Sequence, residues 1–596
     1  MYFPTLNARP RSQQSMDVFG GYNHNVRIQE NEFFDMKNLT SDQAPVLAPR
    51  RRRGLYAEGV NAQGLIAKDS LCYVDGSDFV INEYRLDLGL FTEAAMCPKQ
   101  LISMGAYVII MPDKQYVNTA DLSDYGHIEA EVTTQTAVTF TPCKLDGTEL
   151  KPDYIQPTAP TEAANMALWM DTSVTPHSLK QYSSATDTWV GIETTYVKIS
   201  CTGIGAGFRE YDGVRLKGLA GVTLTTDEAG TELANSAQLQ ALDGSHILYG
   251  CGEDHIVIIG ILDESCSITN AVTVSRKMPA MDFIIENDNR LWGCRYGPNN
   301  DGEVVNELYS CKLGDFRNWE CFMGISTDSY AVSLGSDGQF TGAIAHAGHP
   351  IFWKEGYLHK IYGQIPANFQ VQTTACRGVQ KGCQRSLAIV NEILYYKARH
   401  AVCSYDGSLP VEMSAALGEE RYEAAVAAAH GNKYYISMAR TGTGERSLFV
   451  YDTAKGMWHK EDDVDARLFC SCRDELYCAT EDGKILAMLG SGDSYEDAVP
   501  WMFETGILGA SLPEKKYLVK LNIRLVLEAG SSVNILAQYD SVGPWVNLGF
   551  ITGTDLRSFT IPVKPRRCDH LRLRVEGEGP GMVFSITKTY NHGSDV

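Results

Sequence analysis

Long apolar runs are missing from this sequence. No window approaches the ~18 uninterrupted apolar residues of a membrane-spanning helix, so we predict no such helix. The first residues, MYFPTLNARPRSQQ, hold no apolar stretch of the kind found in secretory signal peptides, and we therefore expect no cleaved signal. Apolar residues make up 44% and charged residues 21% of the chain, proportions that are ordinary for a soluble globular protein.

Motifs for catalysis and cofactor binding are also missing. The sequence has no GxSxG, HExxH or Cys/His nucleophile motif. Its one close histidine pair, His346 and His349, has no carboxylate beside it. The segment GIGAG (203–207) resembles a phosphate loop, but no Lys-Ser/Thr follows it and its flanks have the pattern of strands. We therefore expect no catalytic residue, no cofactor, and a protein that is not an enzyme.

The cysteines show no spacing that indicates a disulfide framework. Sixteen are spread along the chain, and many, such as Cys72, Cys294 and Cys403, lie inside apolar strand-like segments. This placement favours buried free thiols in a reducing compartment. The close pair Cys470 and Cys472 has no further ligands displayed near it, so we expect no metal site.

Negative charge is concentrated in the middle of the chain. The net charge is −21, whereas residues 1–57 carry +3 and residues 514–596 also carry +3. An acidic body disfavours gripping nucleic acid through counterion release. It is compatible with a surface past which nucleic acid slides, since like charges repel, and simple solubility explains it equally well.

A hairpin repeat is the most informative feature that is present. Four segments with two short apolar runs around a polar turn can be anchored on Phe352, Leu394, Tyr435 and Tyr477, in steps of 42, 41 and 42 residues. A similar segment surrounds Trp292. Repeats of about 40–45 residues are the signature of four-stranded propeller blades. The sequence therefore predicts an all-β fold built on a β-propeller of six to eight blades.

The propeller is predicted in two parts, residues 59–126 and 279–496, because 184 residues separate the hairpin at Val108 from the one at Trp292. We assign residues 127–278 to an inserted β-rich domain, with a short helix at 161–170. The stretch 242–262 fits either this insertion or a further blade.

Residues 497–596 have the clearest two-residue alternation. Leu521, Ile523, Leu525 and Leu527 alternate with residues that are mostly polar, as half-buried strands do. With turns at EAGSS (528–532) and EGEGPG (576–581), this pattern predicts a C-terminal β-sandwich.

Residues 1–58 have little periodicity and are predicted to form an N-terminal arm that crosses the ring or a neighbouring chain. The arm ends in the sharpest basic cluster of the protein, Arg50, Arg51, Arg52 and Arg53. Four arginines in a row suit either phosphate or the acidic body of a neighbouring subunit, and the acidic composition favours the protein contact.

Carboxylates and aromatic residues are weaker candidates for a catalytic or carbohydrate-binding site. A propeller glycosidase needs two carboxylates about 5–10 Å apart in a cleft, but the clusters EDD (461–463) and SYEDAV (494–499) lie in turn-like stretches, where we expect solvated charges. GDFRNWECF (314–322) is only loosely similar to the Asp-box of sialidases. The blade tryptophans are expected to pack in the core; they are Trp292, Trp319, Trp353 and Trp458.

The order of these parts resembles a known group of proteins. It comprises an arm with FGGYNHN and NLTSDQAPVLAPRRRRG, propeller phrases such as NRLWGCRYG and VYDTAKGMWHKED, and a sandwich with LRSFTIPVKPRRCDHLRLRVEG. Together they resemble the tail nozzle, or tubular, proteins of short-tailed bacteriophages and the related packaged-DNA stabilisation hubs. The resemblance spans nearly the whole chain and rests on architecture and phrase style.

The resemblance implies a structural virion component in a phage tail, assembled in the bacterial host cytoplasm. It implies a ring homo-oligomer, expected to be a hexamer, that contacts portal or adaptor and tail fibre proteins. Its channel would retain the double-stranded DNA genome and later pass it. The alternative is a receptor- or carbohydrate-binding virion propeller, for which Trp501 and Trp545 are the visible sandwich aromatics. A propeller glycosidase ranks third.

Overall fold

A computed structural model describes residues 11–93, 98–224, 235–511, 515–563 and 566–592. Nearly all regular structure in these ranges is β-strand. The exceptions are one short α-helix, Asn235–Gln240, and the 3-10 turns Pro366–Asn368, Gln384–Ser386 and Ala415–Leu417. No helix of the described residues is long and apolar enough to cross a membrane.

Seven sheets of the described chain form a closed β-propeller, within the predicted range of six to eight blades. Blade 1 consists of Ala62–Ala67, Leu71–Asp75, Asp78–Ile81 and Tyr84–Asp87, and blade 2 of Gln100–Met104, Tyr107–Met111, Gln115–Asn118 and Tyr125–His127. Blade 3 consists of Phe283–Asn287, Arg290–Pro298, Val304–Ser310 and Tyr330–Ser333, and blade 4 of Phe340–His346, His349–Lys354, Tyr357–Tyr362 and Gln370–Ala375. Blade 5 consists of Ala388–Val390, Ile393–Lys397, Val402–Tyr405 and Val411–Glu412, and blade 6 of Tyr422–His430, Lys433–Arg440, Arg446–Asp452 and Met457–Lys460.

Blade 7 closes the ring with strands from both ends of the propeller sequence. Ala466–Cys472, Glu475–Thr480 and Lys484–Ala487 supply three strands, and Gly54–Glu58 pairs with the last of them, followed by the short Asp493–Ser494. The first strand of each blade is innermost, and the innermost strand of blade 7 packs against that of blade 1. The end of the predicted arm is therefore a structural strand of the ring.

Tight turns explain why the hairpin repeat is readable in the sequence. In blade 3, Asn287 pairs with Arg290, so Asp288 and Asn289 alone make the turn. Their φ angles are positive, 51° and 59°. Such two-residue turns match the twist of the flanking strands and favour Asn and Asp. Asn82–Glu83 in blade 1 and Asn391–Glu392 in blade 5 repeat this geometry.

The insertion contains two sheets that share one core. One sheet consists of Ala130–Thr133, Thr273–Arg276, Gly213–Lys217 and Gly244–Ile247, and the other of Gly250–Gly252, His255–Ile259, Tyr196–Ser200, Val138–Cys143 and Cys266–Ile268. Buried Phe140, Ile199, Leu216 and Ile258 belong to that core. The stretch 242–262 thus lies in the insertion and is not an eighth blade.

A third, smaller sheet is nested inside the insertion. It consists of Tyr154–Gln156, Leu168–Asp171, Ser178–Ser183 and Thr188–Gly191. Cys143 and Tyr196 are paired neighbours on adjacent strands, so residues 144–195 leave and return at the same point. The helix predicted at 161–170 is wrong, because Leu168–Asp171 is a strand in which buried Trp169 and Met170 face opposite sides of this sheet.

The C-terminal sandwich is built around one 24-residue strand, Lys516–Tyr539. Its first half pairs with Gly581–His592, its second half pairs with Leu571–Glu578, and Val546–Ile561 follows its other edge. Pro500–Thr505 and Arg567–Cys568 complete the C-terminal part. The turn predicted at 528–532 is wrong, since this stretch is a bend inside the long strand, whereas EGEGPG does end one strand and begin the next.

The N-terminal arm ties the sandwich to the propeller. Arg11–Met16 pairs with Gly581–His592, Phe33–Lys37 pairs with Pro500–Thr505, and Leu39–Thr40 pairs with Ala48–Pro49. Between these strands, the Tyr22 amide donates to Trp458 O in blade 6 (2.6 Å), and a Cβ on Gly21 would lie 2.3 Å from that oxygen. The close approach explains the glycine at position 21. Arm, sandwich and blades 4 to 6 share one hydrophobic core.

The described cysteines carry free thiols. Fifteen are described, and Cys97 lies outside the described residues. Burial raises the pKa of Cys470 to about 12, which keeps the thiol protonated. No group of three or more potential metal ligands occurs among the described residues.

Candidate functional site

The arginine cluster divides into two buried and two exposed side chains. Arg50 makes a bidentate contact with Glu496 (Nη1–Oε2 and Nη2–Oε1, both 2.8 Å). Arg53 contacts Asp462 (2.7 and 3.0 Å) and Glu461 (3.0 Å). These two guanidiniums therefore bind carboxylates of their own chain at the junction of arm, blades 6 and 7, and sandwich, which we call the junction.

The carboxylates of the junction differ from the expected solvated turn charges. Burial raises the pKa of Asp462, but Arg53 and then Arg50 outweigh it, so the pKa lies below its ordinary value. For Glu496 burial is likewise outweighed, here by the hydrogen bond from Arg50. Sequence spacing gives no signal of these pairs, because the partners are about 410 to 450 residues apart.

Arg51 and Arg52 remain exposed at the same junction. Arg51 lines a cleft of about 350 Å³ together with Lys433, Lys455 and His430. Both arginines line a second cleft of about 370 Å³ beside the sandwich. The prediction that the cluster Arg50–Arg53 contacts a neighbouring subunit or phosphate stays a prediction. Of the four side chains, the exposed Arg51 and Arg52 are the ones placed to make such a contact.

The tryptophans occupy the positions expected of core residues. Trp292, Trp319, Trp353 and Trp458 are all at most 3% exposed. In the sandwich, Trp501 is 2% exposed and donates to Gly579 O (3.0 Å), while Trp545 lies under the Arg574 guanidinium at 4.4 Å. Neither sandwich tryptophan presents the open ring that carbohydrate binding on this domain requires.

An aromatic cluster does occur, on one face of the nested sheet. Trp189 contacts Trp169, Tyr182 and Tyr154, with ring centroids 5.4, 5.3 and 6.4 Å apart. Trp169 is buried and the other three side chains are half-buried. The Lys180 ammonium lies 4.8 Å from the Trp169 ring and pairs with Asp171 (2.8 Å). We call these side chains the aromatic face.

The segment 157–165 holds this face in place. Trp189 Nε1 donates to Pro160 O (3.4 Å) and the Tyr154 hydroxyl donates to Glu162 O (3.2 Å). Hydrogen bonds from Lys180 and from Ser173 lower the pKa of Asp171 to about 2, so this carboxylate is ionised at neutral pH. Strand register, which brings these residues together, is the signal that the sequence alone did not supply.

The axis of the propeller holds a cavity of about 310 Å³ whose wall combines apolar and polar side chains. Six blades contribute Leu65, Leu101, Phe283, Ala343, Val426 and Leu468. Arg385, Gln384 and Gln100 supply polar groups, and the described residues that line it include no carboxylate. This cavity therefore lacks, in its described wall, the carboxylate pair of a glycosidase.

One carboxylate pair elsewhere has pKa values that move apart. Asp465 and Glu481 share a hydrogen bond beside Arg446 and Arg467. Burial and this shared bond raise the pKa of Asp465, whereas the same bond and Arg467 lower the pKa of Glu481. Opposite shifts in neighbouring carboxylates are the arrangement that general acid–base catalysis uses. Asp465 also lines a cleft of about 480 Å³ with Asp35, Asp463 and Lys460.

No protein-family model and no curated protein matches the chain. Solved structures similar to it include an exo-β-1,3-galactanase from Phanerochaete chrysosporium (7% identity, 51% of this chain and 94% of that chain, TM-score 0.21). A glycoside hydrolase family 43 arabinoxylan arabinofuranohydrolase from Bacillus subtilis (8%, 54% and 96%, 0.17) and a Trypanosoma rangeli sialidase (8%, 90% and 96%, 0.19) are also similar.

These neighbours correct one expectation. Because glycoside hydrolases dominate them, the prediction that the chain is not an enzyme is contradicted, and we withdraw it. At TM-scores of 0.17 to 0.21 the likeness assigns neither an activity nor a substrate to this chain.

Proposed function

We propose that this protein recognises carbohydrate through the aromatic face of the nested sheet. The observation that carries the proposal is the convergence of Tyr154, Trp169, Tyr182 and Trp189 on one side of a small sheet, beside the charged pair Asp171–Lys180. Sugar rings present apolar C–H faces and a rim of hydroxyls. Aromatic rings with a few fixed polar groups suit both parts.

The face is held rigidly before a ligand arrives. The central ring, Trp189, contacts three aromatic neighbours and donates a hydrogen bond to Pro160 O. Its side chain therefore loses little conformational entropy on binding. Asp171 accepts hydrogen bonds from Lys180 and Ser173, and Tyr182 donates to Asp187 (2.5 Å). These polar groups lie around the rings, where sugar hydroxyls would meet them.

A glycan array probed with the full chain tests the proposal, followed by titration of any bound glycan with variants. We expect Trp189→Phe, which keeps an aromatic ring, to weaken binding by about 2–10-fold, and Trp189→Ala to weaken it further. Val190→Ala is the matched control, because Val190 is 55% exposed on the opposite face of the same sheet. Equal binding by the Trp189 variants, or no glycan bound at all, would contradict the proposal.

The bound glycans are then incubated with the protein to detect hydrolysis. If products form, the carboxylates to test are Asp465 and Glu481, whose pKa values move apart. Loss of products in Asp465→Asn and Glu481→Gln, with binding retained, would separate hydrolysis from recognition. Binding without products leaves recognition as the activity.

The second candidate is the phage-tail role that the sequence resemblance implies, and one surface favours it. Val546–Ile561 is a 16-residue edge strand whose outer edge pairs with no described strand. Phe550 is 64% and Leu556 45% exposed on it. Long edge strands with exposed apolar side chains pair readily with another chain. A ring homo-oligomer in the virion tail, in contact with portal, adaptor and fibre proteins, would use such an edge.

Mass photometry and negative-stain imaging test this candidate. A ring with a central hole, expected to be six-fold, would support it, and the DNA channel would then lie between subunits because the axial cavity of about 310 Å³ is far too small for a duplex. We expect Phe550→Glu with Leu556→Glu to release monomers. Val542→Glu, at an equally exposed turn, is the control. A wild-type monomer at high concentration would overturn the candidate.

A further inference from the structure

The described wall of the axial cavity holds two cationic residues, Lys99 and Arg385. Lys99 pairs with Asp113, whereas Arg385 has no carboxylate partner among the described residues. It belongs to the 3-10 turn Gln384–Ser386, which lies between the innermost strands of blades 4 and 6. Among the described residues its only hydrogen bond is a long one, from Nη2 to the main-chain oxygen of Lys99 (3.4 Å). A guanidinium has five N–H donors, so most of them are left to solvent or to a ligand.

Three other buried cations of the described chain have polar partners within the protein. Arg53 contacts Asp462 and Glu461, and Lys99 pairs with Asp113 (2.6 Å). Arg290 donates to the main-chain oxygens of Cys311, Asp328 and Ser326. Arg385 therefore differs from cations that only stabilise the fold, because desolvating a charge is costly without such partners.

The turn that carries Arg385 is fixed by its neighbour. Ser386 is fully buried, its hydroxyl accepts from the Lys397 amide (2.9 Å), and its main-chain oxygen accepts from the Tyr434 hydroxyl (2.7 Å). The side chain of Arg385 is half-buried, so a small solute reaches it. Burial lowers the pKa of Arg385 to about 10, which leaves the group charged at neutral pH.

We propose that the axial cavity binds a small organic carboxylate with a compact apolar body, with Arg385 as the cation that holds the carboxylate. A single guanidinium matches a carboxylate in a bidentate contact. The apolar side chains around it, such as Leu101, Phe283 and Leu468, suit a hydrocarbon or ring body. A monocarboxylate matches the single positive charge of Arg385, whereas the charge of phosphate at neutral pH exceeds it.

Titration calorimetry with benzoate as the probe tests the site, with benzamide and inorganic phosphate as comparisons. We expect benzoate to bind the full chain and to bind at least tenfold more tightly than either comparison. Arg385→Gln should weaken benzoate at least tenfold. Arg399→Gln, which removes an exposed guanidinium from blade 5, should leave binding unchanged.

A second measurement separates binding from a merely structural role of the guanidinium. Without ligand, we expect Arg385→Met to raise the melting temperature, because the substitution removes a half-buried cation that has no carboxylate partner among the described residues. Benzoate should raise the melting temperature of the wild type and not that of this variant. Absence of benzoate binding to the wild type, equal binding by Arg385→Gln, or phosphate binding as tight as benzoate would overturn the proposal.

Discussion

The junction and the nested sheet attach their parts to the propeller in opposite ways. At the junction, Arg50 and Arg53 bind Glu461, Asp462 and Glu496 across more than 400 residues of sequence. A hydrophobic core also joins arm and sandwich. The nested sheet is joined to the insertion through the paired residues Cys143 and Tyr196 and through His177, which contacts Asp263 (2.9 Å), and it carries its own aromatic cluster. The junction is therefore an integral part of the fold, whereas the nested sheet is an addition to it.

Removing Arg53 should have the largest effect on the junction. Arg53→Met leaves Glu461 and Asp462 without their nearest cation in a buried place, and we expect a loss of about 3–5 kcal/mol in unfolding free energy. Urea unfolding followed by tryptophan fluorescence measures it. Arg52→Met, at an exposed neighbour, is the control and should change stability by less than about 0.5 kcal/mol. Equal stability of the two variants would show that the buried ion pairs of the junction do not stabilise the fold.

Acid should weaken the junction next. The pKa values of Asp462 and Glu496 are lowered in the folded protein, so their contribution to stability is complete above the ordinary carboxyl pKa of about 4. It is lost as the pH falls through the lowered folded values. We expect the melting temperature to fall steeply below about pH 4. In Arg53→Met the fall should be shallower, and an unchanged slope would contradict this account.

Deleting the nested sheet should have the smallest effect on the rest of the molecule. Replacing residues 145–194 by a two-residue turn restores a hairpin between Val138–Cys143 and Tyr196–Ser200. We expect the unfolding free energy of the remainder to fall by only about 1–2 kcal/mol, because Asp263 and Gln238 lose their contact with His177. Loss of glycan binding with a slightly lowered urea midpoint is the expected pair of results. Collapse of the propeller would show that the sheet is structurally required.

The propeller and the sandwich could be predicted because their signals are local. Strand alternation and two-residue turns such as Asp288–Asn289 depend on neighbours in sequence, and they gave the blade range and the sandwich. The bend at 528–532 was misread as a turn because polar residues with a glycine look alike in both. A long strand that crosses two halves of a sheet is decided by its partners, Gly581–His592 and Leu571–Glu578.

The candidate sites depend on contacts that sequence spacing does not reveal. Glu461 looked like a solvated turn charge, yet it is 7% exposed and faces Arg53. Trp189 and Trp169 are 20 residues apart, and only their place on one face of the nested sheet brings their rings together. Arg385 stands out because partners of the kind that Arg53, Lys99 and Arg290 have are missing around it within the described residues.

Closure of the ring also sets a schedule for synthesis. Gly54–Glu58 leaves the ribosome early, but its partner strand, Lys484–Ala487, begins 426 residues after Glu58. At roughly 5–20 residues per second, the first strand waits about 20–85 seconds for its partner. Throughout that interval both edges of the growing propeller are open to other strands. The incomplete propeller therefore has to be kept from pairing with other chains until Lys484–Ala487 has been synthesised.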